Sequence, residues 1–153
     1  MALHVIIDPS VDTTFGDSVR RLLGGVSEVE LSDEYILDPA IFDVAEMEIL
    51  SLVPCLESGD VSNQDKNKAR LAMIYLIASK LCPVVKGMME YEVRTIDVSW
   101  KKKPIEYDEL QEILLGTVVT LLSEIDCYEG GESASNLFRV APSKRGVKES
   151  EEL

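Results

Sequence analysis

Apolar residues recur at three- and four-residue spacing over four stretches of the chain, and at two-residue spacing over one. In the first stretch Phe15, Val19, Leu22 and Leu23 share one helical face. Thr14 with Asp17 makes a capping arrangement before them, and Gly24-Gly25 supplies a C-terminal stop. Ser32 and Asp33 cap a brief turn holding Tyr35, Ile36 and Leu37. Asp38-Pro39 then opens a second helix, with the acid at the N-cap and proline at the first helical position. Ile41, Phe42, Ala45, Ile49, Leu52 and Val53 carry its apolar face to Pro54, and the acids Asp43, Glu46 and Glu48 read as its solvated side. Residues 57–63 form a polar loop. Ser62 and Asp65 cap a third helix that runs to about Val85 and is apolar on nearly all sides between Leu71 and Leu81, the mark of a central helix. Lys66, Lys68 and Arg70 form an exposed basic cluster at its start, while Pro83 and Gly87 mark a frayed end. Asp108 caps the last helix, whose face is Leu110, Ile113, Leu114, Val118, Leu121, Leu122 and Ile125. Gly116 in its middle costs about 1 kcal/mol relative to alanine, which marks a close helix contact.

The two-residue period falls on residues 92–100. Ile96, Val98 and Trp100 alternate with Asp97 and Ser99, the pattern of a strand with one dry face. Tyr91 and Val93 are out of step with it, so a bulge is expected near Arg94-Thr95. A lone strand leaves its backbone groups unpaired. Its partner is the apolar run Leu3-His4-Val5-Ile6-Ile7 (a short strand or an extended arm), the chain beyond Pro104, or a second copy. Beyond Asp126 the chain turns polar and glycine-rich, except for the apolar island Leu137-Phe138-Arg139-Val140. The expected fold is mainly α: a bundle of about four helices, residues 1–126, with a short β-strand or hairpin inserted before the last helix. Residues 127–153 are expected to be a flexible tail carrying one docking segment.

Composition narrows the function classes. At 153 residues and 46% apolar, the chain is long and apolar enough for one domain with a real core. Twenty-eight acids against fifteen bases leave a net charge of −13, which argues against a general nucleic-acid binder. The run from Leu71 to Leu81 is short for a bilayer span and includes Ser79 and Lys80, so no membrane segment is expected. The first residues lack the charged start of a secretory signal. Cys55, Cys82 and Cys127 have no metal or disulfide spacing, and reduced thiols in a cytosolic compartment are expected.

Chemistry is sparse. His4 is the only histidine, which leaves no imidazole-based triad or metal site within one chain. Glu-x-x-His pairs are absent, and neither Gly24-Gly25 nor Gly130-Gly131 sits in a phosphate-cradling strand–loop–helix pattern. Cys82 reads as core and Cys55 has no nameable base. No enzyme activity, cofactor or metal is expected. Trp100 is read as a core anchor or as a subunit contact. Lys101, Lys102 and Lys103 read either as a solvated turn or as a patch that pairs with acids of a neighbouring copy, in head-to-tail contacts that close a ring.

The order of these elements resembles the head–tail connector proteins of tailed bacteriophages, also called adaptor or head-completion proteins. The resemblance runs from about Phe15 to Ile125. It lies in Val19-Arg20-Arg21-Leu22-Leu23-Gly24 followed by Leu31-Ser32-Asp33-Glu34-Tyr35-Ile36, in Ala45-Glu46, and in Ala69-Arg70-Leu71-Ala72-Met73-Ile74-Tyr75-Leu76. The stretch from Thr95 to Trp100 with the three lysines, and the helix after it, complete it. It implies a structural virion protein at the neck, made in the host cytoplasm. Such proteins form a ring, commonly of about twelve copies, under the portal protein, and offer a surface to the stopper or tail-completion protein. DNA would pass through the channel without specific binding, helped by a negative lumen. The interface residues are then Trp100, Lys101, Lys102 and Lys103 between neighbours, and Leu137, Phe138 and Arg139 toward the portal. The alternative from another class is a small acidic regulatory module, such as a DNA mimic that occupies a nucleic-acid-binding protein.

Overall fold

A computed structural model describes residues 4–95 and 105–129. It is mainly helical, with six helices among the described residues: α1 Phe15–Leu22, α2 Asp33–Ile36, α3 Phe42–Leu52, α4 Cys55–Ser58, α5 Asn63–Thr95 and α6 Tyr107–Ser123. Helix α1 ends as its sequence dictates. Gly24 and Gly25 adopt φ of 96° and 82°, and their N–H groups donate to the Arg21 and Arg20 carbonyls, which satisfies two orphan acceptors of the last turn. An alanine at Gly24 would combine a strained backbone with a clash against the Ile105 side chain. The Thr14 hydroxyl does not cap α1; it donates instead to Asp12 Oδ1. Helix α3 begins later than Asp38-Pro39 suggests. Asp38 first closes a turn by accepting from the Ile41 and Phe42 N–H groups at its carbonyl and from Ala40 N–H at Oδ1. A short helix, α4, follows Pro54 and takes in the first two residues of the expected loop 57–63.

Helix α5 overturns the expected boundary near Val85. Proline at position 83 lacks the N–H that would bond the Ser79 carbonyl. That carbonyl is not orphaned, because the Gln111 side-chain amide on α6 donates to it at 2.8 Å. A neighbouring helix thus supplies the donor that proline removes, and α5 continues through Pro83 and Gly87 to Thr95. Residues 92–95, expected to begin a strand, are therefore its last turn. Among the described residues there is no strand, and Ile96 to Trp100 lie outside them. Residues 4–7 form an irregular arm rather than a strand.

The core is built around α5. Ala72, Met73, Leu76, Ile77, Leu81 and Val85 are buried, and they pack with Val19 of α1 and Leu23 just after it, Ala45 and Ile49 of α3, and Leu114, Val118 and Leu122 of α6. By length and hydropathy the stretch Asn63–Met89 would pass for a membrane span, but 56% of its apolar 18-residue window is buried inside the protein. Packing on three helices accounts for its apolarity. Helices α5 and α6 run antiparallel, as Lys68 pairs with Glu124, Gln111 reaches Ser79 and Lys86 pairs with Asp108. The Tyr107 hydroxyl joins α6 to α1 by donating to the Leu23 carbonyl at 3.1 Å. Gly116 does not mark a close helix contact, since a Cβ there would meet open space.

Candidate functional site

Three features of the described chain go beyond packing: an anchored N-terminal arm, a covalent clasp at the end of α6, and an overhang of α5.

The arm is held by an acid that the sequence assigned to solvent. Glu46 is only 6% exposed. Its Oε2 accepts from the Val5 and Ile6 backbone N–H groups at 2.6 and 2.9 Å, and its Oε1 lies 3.2 Å from His4 Nδ1. Burial of a carboxylate is tolerable only when its lone pairs are taken, and here a length of extended chain takes them. The His4 ring sits edge-on to Phe42 at 4.9 Å, and Ile7 is buried beneath. A signal for this role existed: Glu46 falls four residues after Phe42 and three before Ile49, on the apolar face of α3. Glu48 is also half-buried and pairs with Lys80 of α5 at 3.0 Å.

A second tie fixes the turn after the arm. Arg70 Nε donates to Asp12 Oδ2 at 2.6 Å, so Arg70 is not part of an exposed basic cluster, and Lys68 is likewise paired. The hydrogen bond from Arg70 holds the Asp12 carboxyl below its ordinary value of 3.8. A folded-state pKa that is depressed adds stability above the unfolded value and loses it as pH falls through the folded one. Asp12→Asn is therefore expected to destabilise the protein by about 1 kcal/mol at neutral pH, with the gap to wild type closing as pH drops below 3.8. Urea midpoints of the two proteins along a descending pH series measure this, and a gap that persists at low pH would contradict it.

Further cations are also satisfied internally. Arg20 is buried, donates from Nε to the Leu31 carbonyl at 2.8 Å, and pairs with Asp17 at 3.0 Å and with Asp33. Meanwhile Glu28, Glu34, Asp43, Glu57, Asp60, Glu109 and Glu112 lie exposed. Among the described residues, Arg20, Lys68, Arg70, Lys80 and Lys86 are thus paired within the chain, and these seven acids stand on its surface.

The clasp corrects the expectation of three reduced thiols. Cys55 and Cys127, 72 residues apart in sequence, form a disulfide with a Cα–Cα separation of 6.1 Å, within the usual range. Loose spacing in sequence concealed it, because the bundle brings the start of α4 beside the turn that follows α6. The Glu129 N–H then donates to the Leu52 carbonyl at 2.8 Å, a second tie between the chain after α6 and the end of α3. Cys82 is core, as read from the sequence: it is buried, and burial, helped by the Asp108 charge, pushes its thiol up to about 12.

The overhang follows from the helix register. Tyr107, the first residue of α6, lies opposite the region just before Lys86 of α5. About ten residues of α5 therefore continue past the end of α6, roughly 15 Å at 1.5 Å per residue. The connection from Thr95 to Ile105 contains Trp100, Lys101, Lys102 and Lys103, which lie outside the described residues, as do Leu137, Phe138 and Arg139. All seven expected interface residues therefore fall outside the described residues.

Among the described residues, no group of three or more His, Cys, Asp or Glu side chains is arranged to hold a metal ion. Compared with protein-family models, curated proteins and solved structures, the chain matches none.

Proposed function

We propose that the chain is a structural, non-enzymatic virion protein that forms a ring between the portal and the tail or stopper, extending the DNA channel. The observation that carries this reading is the overhang of α5. A helix that continues past the start of its antiparallel neighbour by about ten residues, roughly 15 Å, runs on without cover from that neighbour. A neighbouring copy in a head-to-tail ring supplies the missing cover. The sequence that follows Thr95 carries Trp100 and the lysines 101–103, which suit an acidic neighbour. The net charge of −13 and the exposed acids among the described residues suit a channel through which DNA slides without adhering.

The DNA-mimic reading has less support. Its acids would have to be free for a basic partner, yet Asp12, Asp17, Asp33, Glu46, Glu48 and Glu124 are engaged within the chain.

Native mass spectrometry of the full chain over a wide concentration range tests the proposal. A closed oligomer near twelve copies is expected. A monomer at every concentration would sink the ring.

A further inference from the structure

Cys55 and Cys127 are both half-buried, so a small thiol can reach the bond between them, whereas Cys82 is enclosed in the core. Thiolate is the reacting form in exchange, and burial keeps Cys82 protonated. Exchange chemistry is thereby confined to the outer pair. The two sulfurs of that pair are not equivalent. The Cys55 backbone N–H donates to Cys127 Sγ at 3.3 Å, and among the described residues no donor reaches Cys55 Sγ. A donor aimed at one sulfur favours negative charge there and makes it the better leaving group.

We propose that the Cys55–Cys127 bond is a thiol–disulfide exchange site, at which a dithiol reductant attacks Cys55 Sγ, expels Cys127 as the thiolate and unlatches the end of α6 from α4. In the first step a reductant thiolate forms a bond to Cys55 Sγ while the bond between the two cysteines breaks, and its electron pair leaves on Cys127. In the second, the other thiolate of the reductant attacks the reductant sulfur in the mixed disulfide and releases Cys55. Two electrons pass from the dithiol, which becomes a disulfide, to the cysteine pair. The two protons given up by the reductant are balanced by those the cysteines take from solvent.

The consequence is mechanical. With the bond intact, residues 126–129 are tied to α4 covalently and to α3 by the Glu129 N–H to Leu52 carbonyl hydrogen bond. With it open, the hydrogen bond stands without the covalent tie, and the chain runs directly on into residues 130–153, which include Leu137, Phe138 and Arg139. The redox state of one bond then sets whether that segment starts from a fixed point. This holds whether or not the protein assembles as a ring.

The test uses the full-length oxidised protein and glutathione, a monothiol that stops at the mixed disulfide. After a brief exposure and quenching with iodoacetamide, peptide mass spectrometry locates the adduct. Glutathione is expected severalfold more often on Cys55 than on Cys127. In parallel, hydrogen–deuterium exchange is compared between oxidised and phosphine-reduced protein. Uptake at residues 126–129 should rise severalfold, while uptake at residues 69–82 in the middle of α5 stays unchanged. An adduct mainly on Cys127, equal uptake at residues 126–129 in both states, or a pair that stays as free thiols in glutathione-disulfide buffer would overturn the proposal.

Discussion

Phe42→Ala is expected to cost about 3–5 kcal/mol of folding stability, a large share of the roughly 5–15 kcal/mol that holds a domain of this size folded. Phe42 is 1% exposed. Its ring meets Phe15 of α1 at 5.7 Å and His4 of the arm at 4.9 Å, both edge-on, so truncation opens a cavity shared by three elements. The arm should suffer with the core, because the backbone it presents to Glu46 is positioned by packing on this ring. Urea unfolding followed by helical circular dichroism gives the loss in stability. Exchange of the Val5 and Ile6 amides reports the arm separately. Phe42→Leu, which keeps most of the volume, should cost under about 1.5 kcal/mol. Similar small losses for both variants would show that the site collapses to fill the gap, and that the ring does not organise the junction.

Cys127→Ser is expected to remove up to about 4 kcal/mol, the chain-entropy value for closing a loop of this length. The separation of 72 residues is what makes the effect large, since the bond restricts an unfolded chain over nearly half its length. The folded state loses little, because Glu129 keeps its hydrogen bond to Leu52. Wild-type protein unfolded in the presence of a strong reductant should match the variant, and the two should be separated from oxidised wild type by the same interval of urea. Equal midpoints for oxidised wild type and variant would mean that the loop is already restricted in the unfolded chain.

The helices were legible because each rests on information carried within a few turns. Phe15, Val19 and Leu22 set the face of α1, and Gly24-Gly25 ended it through the one backbone conformation that glycine adopts freely. The apolar girth of residues 71–81 placed α5 at the centre, where it lies. Where the reading failed, the deciding partner was distant. Pro83 is a helix breaker on local grounds, and only Gln111, 28 positions away on α6, makes its missing hydrogen bond tolerable. Once α5 passes that point, residues 92–95 are drawn into the helix despite a strand-like pattern that begins there. Glu46 looked solvated because charge near an apolar stripe is usually at its edge, and the arm that buries it is some forty residues earlier.

Local spacing, caps and glycines, readable in order along the chain, were therefore enough for the helical class, the central helix and the turn after α1. Tertiary structure alone decided the length of α5, the burial of Glu46, the pairing of Arg70 with Asp12, and the bond between Cys55 and Cys127. The physical reason is range. Helix periodicity and capping act over three or four residues, whereas a buried charge, a proline's orphaned carbonyl and a thiol each take their state from whatever the fold sets beside them.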